Sequence, residues 1–203
     1  MDSFVKAMAD FFSVAIVAAF AENLLFSHAI SISHGYRLTE KIDQTRTLWH
    51  GTLSILLLFL SSFPLHLASY FMKDFKYSFI FTPLIYVFLI TATYFAVAVL
   101  VKNYLPLFYP NIIKHLPFAA FTPAIIGGYM LSQAESYTKL YQTVGFCLGC
   151  GIGYTIATIL VVEGARRLSI SDVPKPFRGL PVLTIYVGLL SLVVYGISAE
   201  LIR

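Results

Sequence analysis

The chain has 203 residues, of which 58% are hydrophobic and only 12% charged. A water-soluble domain carries about 25% charged residues, so half of the usual solvating surface is missing and a soluble globular domain is excluded. The formal net charge of +4 comes without any basic cluster interleaved with aromatics, which argues against a nucleic-acid partner.

Six apolar stretches follow one another along the chain, at residues 4–30, 48–71, 79–101, 105–131, 144–162 and 180–201. Each is near the ~20 residues that a helix needs to cross a hydrocarbon core of about 30 Å. The expected fold class is therefore an all-α membrane protein with six transmembrane helices, forming a single polytopic domain over residues 1–203. Within the first stretch, the apolar segment Phe11–Ala21 ends in small residues, as a signal peptide does. It is preceded by Asp2, Lys6 and Asp10 rather than a basic cluster, so a retained first span is expected.

Two of the stretches are interrupted. Stretch one contains Glu22-Asn23, followed by Ser27, His28, Ser31 and Ser33. Stretch four contains Pro106, Pro110, Asn111, Lys114, His115, Pro117 and Pro123, then Gly127-Gly128. Proline removes a backbone donor and clashes with the preceding turn, so an unbroken helix is not expected there. Irregular backbone at membrane depth survives only where protein or a water-filled cavity satisfies its polar groups. Stretches one and four occupy matching positions in two three-span halves, which points to inverted repeats, about 1–103 and 104–203, with a site at their interface. A helix end at Glu22 near the headgroups and a new helix at Pro110 is the plainer alternative.

Basic residues in the connections set an orientation. Arg37, Lys41, Arg46, Lys102, Arg166, Arg167, Lys175 and Arg178 follow spans one, three and five, whereas Lys6, Lys73, Lys76, Lys139 and Arg203 lie on the other side. The positive-inside rule then puts both termini outside.

Within the spans, Glu22 is the leading functional candidate, because a carboxylate in a membrane span usually faces a cavity, a partner or an ion path. Asn23, Thr122 and the carbonyls of the broken helices could join it as oxygen donors for a cation such as Na⁺. The alternative is a hydrogen-bonded Glu22 that stabilises the helix break, kept protonated by burial. His28, His34, His50, His66 and His115 show no HxxxH or HExxH spacing, so a histidine metal site has little support. Nucleophile-elbow, P-loop, dinucleotide and zinc-protease motifs are all missing, and no catalytic residues are assigned. Asp172, Pro174, Lys175 and Pro176 form a proline-bounded loop, read either as a docking surface or as a tight connection.

The carboxy-terminal region reads Ile170-Ser171-Asp172-Val173-Pro174-Lys175-Pro176-Phe177-Arg178-Gly179, then Gly188-Leu189-Leu190-Ser191-Leu192 and Gly196. It resembles the DVPxPFKG…GLxSLxxxG ending of the RnfA/NqrE membrane subunits of the Rnf and Na⁺-translocating NADH:quinone reductase complexes. Glu22-Asn23 falls where that family has paired asparagines, and Leu116-Pro117 where it has LPL. The resemblance covers essentially the whole chain. It implies a six-span inverted-repeat fold in a prokaryotic cytoplasmic membrane. It also implies a homologous membrane partner in the opposite orientation, further Rnf/Nqr-type subunits, and movement of Na⁺ or H⁺. The family holds a [2Fe–2S] cluster on cysteine thiolates of the interrupted helices, and thiolates suit iron because they are soft, anionic ligands.

The chain departs from the family at the ligands. The family's LGLCPF aligns with Ile30-Ser31-Ile32-Ser33-His34-Gly35, and its TTNCAVLG with Ala120-Phe121-Thr122-Pro123-Ala124-Ile125-Ile126-Gly127. Ser33 and Pro123 therefore stand where cysteines are required, and a cluster with normal ligation is not expected. Cys147 and Cys150 form a CxxC on one helix face, where the family has small residues. Close helix packing is one reading of them, and a relocated metal or redox site is the other. The resemblance implies a scaffold and half of an ion or electron path in an ion-translocating complex. The alternative is a divergent homologue that moves an ion or small solute without redox chemistry.

Overall fold

A computed structural model describes residues 2–31, 44–72, 78–134 and 139–201. Ser33, His34 and five of the basic loop residues named above, Arg37, Lys41, Lys73, Lys76 and Arg203, lie outside the described residues. All regular secondary structure among the described residues is helical. Its elements are α1 (Asp2–Phe20), α2 (Gln44–Met72), α3 (Ser78–Tyr104), α4 (Tyr109–Ala120), α5 (Pro123–Ala134), α6 (Leu140–Ile170), a 3-10 turn (Lys175–Phe177) and α7 (Leu180–Leu201). Four helices among the described residues, α2, α3, α6 and α7, are long and apolar enough to cross a membrane. At 12 residues each, α4 and α5 are too short to do so singly.

The prolines explain much of this segmentation. Pro110 lies in the first turn of α4 and Pro123 opens α5, positions where a missing N–H costs nothing. Pro64, Pro83 and Pro117 are instead carried inside α2, α3 and α4. The apolar run 144–162 underestimates its helix, because α6 continues for two further turns to Ile170. Those turns carry Glu163, whose carboxylate accepts from Arg166 Nη2 at 2.6 Å and lies 3.8 Å from Arg167 Nε. Charges spaced three and four apart support a helix that has left the apolar layer.

Helix α6 is the centre of the molecule and packs against α1, α2, α5 and α7. Burial reaches 67% of the residues in its apolar window, against 11% for α7. Glycine makes that central position possible. A Cβ added at Gly145, Gly149 or Gly153 would lie 2.8, 2.1 or 2.4 Å from the carbonyl oxygens of Phe11, Ala15 and Ala19. The spacing is four residues on both helices, so α1 lies backbone to backbone on α6 along the whole crossing. On another face Gly51 of α2 meets Thr155, whose hydroxyl donates to the Gly51 carbonyl at 3.2 Å, and Gly151 meets Ile55. Further along, the Thr143 hydroxyl meets His66 Nδ1 at 3.2 Å, so α2 and α6 run antiparallel.

Two apolar cores flank α6. One gathers Leu57, Leu58 and Leu65 of α2 with Tyr86 and Ile90 of α3, Leu116 of α4, Tyr129 of α5 and Cys147. The other gathers Val14 and Ala18 of α1, Leu24 and Leu25, Ala124 of α5, Phe146, Cys150 and Tyr154 of α6, and Leu183 and Val187 of α7. Much of the rest of α7 is apolar and exposed, including Leu192 and Tyr195.

Candidate functional site

The first helix break is built by one side chain. Helix α1 stops at Phe20, and the chain runs through turns from Ala21 to Ser31. Buried Asn23 accepts from the backbone N–H of Leu25 and Phe26 on Oδ1, at 3.0 and 3.1 Å. Its Nδ2 donates back to the Ala19 carbonyl at 3.0 Å. An asparagine side chain thus replaces the missing helical bonds on both sides of the break. The Ser27 hydroxyl donates to the Ala21 carbonyl at 2.8 Å, and Ile30 N–H to the Leu24 carbonyl at 2.7 Å. The turn closes with positive φ at Ala29 (57°) and Ser31 (71°), a left-handed region that costs a non-glycine residue about 1–2 kcal/mol.

The second break is shorter. Helix α4 ends with Phe121 N–H donating to the Pro117 carbonyl at 3.1 Å and Thr122 N–H to that of Ala119 at 3.3 Å. Pro123 has no N–H to continue the ladder and opens α5.

The two breaks meet. Ser31 Oγ lies 2.8 Å from Thr122 Oγ1, a hydrogen bond spanning 91 positions of sequence. Tyr154 of α6 joins both hydroxyls, with its Oη 3.3 Å from Ser31 and 3.5 Å from Thr122. On its other side Tyr154 Oη lies 3.3 Å from Nε2 of His50 on α2. Ser31, Thr122, Tyr154 and His50 are all buried. The His50 ring is held between Phe118 and Tyr154, with centroid distances of 5.0 and 6.0 Å. This four-element polar network in an apolar core is the site that the fold builds.

The residues expected to form an ion path divide between different environments. Thr122 belongs to the network. Asn23 spends its polar atoms on the turn. Glu22 sits half-buried beside His28, whose Nε2 lies 2.6 Å from its Oε2. Asp172, Pro174, Lys175 and Pro176 are exposed on the loop before α7. There Phe177 N–H donates to the Pro174 carbonyl at 2.9 Å, Arg178 Nε donates to that of Val173 at 2.9 Å, and Gly179 takes φ +85°. The sequence does not single out Tyr154, and it offers Ser31 and His50 only as polar residues among others. A readable signal exists for Ser31. It falls on the glycine of the family's LGLCPF pattern, and its left-handed φ is one that glycine adopts freely.

The donor set does not fit a [2Fe–2S] group at the aligned positions. Pro123 offers no ligand atom, and its neighbour Thr122 offers a neutral hydroxyl, a poor substitute for thiolate. Cys147 and Cys150 are free thiols buried in opposite cores. No cluster of three His, Cys, Asp or Glu side chains gathers around them or elsewhere among the described residues.

Residues 11–200 match the family described as "Rnf-Nqr subunit, membrane protein". One subunit of the Na(+)-translocating NADH-quinone reductase of Psychrobacter sp. (strain PRwf-1) is 32% identical over 107 residues, 53% of this chain and 52% of that protein. The corresponding subunit from Rhodopirellula baltica is 32% identical over 96 residues, 47% of this chain and 45% of that protein. One subunit of the ion-translocating oxidoreductase complex of Pseudomonas aeruginosa (strain LESB58) is 31% identical over 99 residues, 49% of this chain and 51% of that protein. The chain spans about half the length of the curated relatives it matches. With the family match running over nearly all of its residues, the chain belongs to the Rnf-Nqr family of membrane subunits.

Proposed function

We propose that the protein is an integral-membrane subunit of an Rnf/Nqr-type ion-translocating electron-transport complex, serving as scaffold and as half of the ion path. The observation that carries this reading is the Ser31–Thr122 hydrogen bond, which joins two chain breaks inside an apolar core. Broken segments meeting at a buried polar point are what alternating or shared ion paths are built from. In this reading the stretch Tyr109–Ala134, formed by α4 and α5 together, is one pass, and α1 with the turn to Ser31 is another. The six passes then divide into inverted repeats of about 1–103 and 104–203. The membrane is the prokaryotic cytoplasmic membrane, with both termini outside. The partners are a homologous membrane subunit in the opposite orientation and other subunits of the complex, and the ion is Na⁺ or H⁺. The Asp172–Pro176 loop is the docking surface for those subunits, and Glu22 and Asn23 border the ion path near Thr122.

No electron-transfer step is assigned to this chain, because Pro123 cannot ligate iron. That same misfit favours a second reading, in which the protein moves an ion or small solute without redox chemistry. Purification from the native membrane separates the two. A co-purifying homologue with flavin or iron–sulfur subunits supports the first. Ion flux from this chain alone in proteoliposomes, with no such subunits, supports the second. Stoichiometric iron with a [2Fe–2S] EPR signal that vanishes in Cys147→Ser or Cys150→Ser would overturn the misfit and restore an electron path.

A further inference from the structure

We propose that His50 is a proton-binding site and that the Tyr154–Ser31–Thr122 hydroxyls transmit its charge state to the two chain breaks. His50 is fully buried on α2, and its Nε2 reaches the Tyr154 hydroxyl at 3.3 Å. Tyr154 also lies within reach of Ser31 at 3.3 Å and Thr122 at 3.5 Å, and those two are 2.8 Å apart. Each member can donate and accept, so the network has two donor orders. With His50 neutral and Nε2 unprotonated, the Tyr154 hydroxyl donates to the imidazole and accepts from the break. When Nε2 carries a proton it donates to Tyr154 Oη, and the Tyr154 hydroxyl turns to donate to Ser31 or Thr122. Binding one proton at His50 thus reverses the hydrogen bonds that Tyr154 makes to Ser31 and Thr122, the two residues that join the breaks. No atom other than the proton is gained or lost.

Three features set His50 apart. Another histidine whose ring meets α6, His66, is only half-buried and meets the hydroxyl of Thr143, about three turns along α6 from Tyr154. The buried Ser54 hydroxyl, one turn from His50 on α2, has no hydrogen-bond partner among the described residues, which extends the polar face along the same helix. The network contains hydroxyls and an imidazole but no carboxylate. That set offers a proton acceptor at an imidazole nitrogen and no anionic ligand for a metal cation.

Of the titratable groups around the network, the Tyr154 hydroxyl of α6 meets His50 directly, with Cys150 one turn along that helix. His115 lies one turn from Phe118, whose ring packs on His50, and the Glu22–His28 pair lies on the segment after α1. Proton binding at His50 requires no membership of a complex, so a failed co-purification leaves it standing.

The test is nitrogen NMR of the full chain labelled at histidine, in lipid nanodiscs, across about pH 5 to 8. The His50 signal is assigned from His50→Gln and from its through-space contacts to Phe118. The expected result is one reversible change from neutral imidazole to imidazolium at His50. Its midpoint moves by about half a pH unit or more in Tyr154→Phe, which removes the hydroxyl and keeps the ring. Thr122→Val, which is nearly isosteric, is the second variant should Tyr154→Phe fail to assemble. An imidazole that stays neutral throughout would overturn the proposal. So would a transition unmoved in both variants, or one abolished by added Na⁺ at constant pH.

Discussion

The two chain breaks deliver a hydroxyl to the same buried point by opposite means. The first takes eleven residues, 21–31, and is held by a dedicated side chain, with the Asn23 amide satisfying backbone groups on both sides. The second takes two residues, Phe121 and Thr122, and is enforced by a missing donor at Pro123. One break exists because something is bonded, and the other because something cannot be. The first is therefore conditional on its side chain, whereas the second is written into the covalent chain.

Substitutions can break that comparison. Asn23→Ala is expected to have the largest effect, because it leaves the buried N–H groups of Leu25 and Phe26 without their acceptor. A loss of about 2–4 kcal/mol follows from two unsatisfied donors, read as a lower unfolding midpoint in detergent. An unchanged midpoint would mean that the turn holds without Asn23 and that the contrast is wrong. Pro123→Ala is expected to cost less than about 1 kcal/mol, since α5 loses only the preset φ of its first residue. Amide exchange should show the break at Phe121–Thr122 closing toward a continuous α4–α5 helix, because the missing donor is restored. A break that persists in that variant would show that the proline does not make it.

The smallest net change is expected for Ser31→Gly. Glycine relieves the left-handed φ of 71° but gives up the bond to Thr122, two terms of about 1 kcal/mol each and opposite sign. Ser31→Ala keeps the strain and loses the bond, so it should be less stable than Ser31→Gly by about 1 kcal/mol in the same melt. Equal stability of the two would remove strain from the account of the first break.

Much of this was legible in the chain. The polar pair Glu22-Asn23 and the prolines at 110 and 123 mark where helices stop or start, because a carboxylate, an amide and an absent N–H each act locally, whereas Pro117 is carried inside α4. The family pattern in the carboxy-terminal region is local as well. Glu22, the strongest candidate by residue type, is occupied with His28 in the folded chain, while the polar network formed around residues that look ordinary one by one. Serine, threonine and tyrosine are common in apolar helices, and nothing in their spacing links positions 31, 122 and 154.

The amino-acid sequence by itself determined the membrane class, the helical secondary structure and the places where helices fail. Those are properties of composition, backbone donors and side-chain chemistry, which act within a few residues. The tertiary structure alone decided that the two breaks converge and that Tyr154 and His50 close the network. That convergence depends on α6 running through the middle of the molecule, where Gly145, Gly149 and Gly153 let α1 approach to backbone contact. Only that close crossing brings Ser31 across to Thr122, and a distance between residues 91 positions apart is set by packing rather than by local preference.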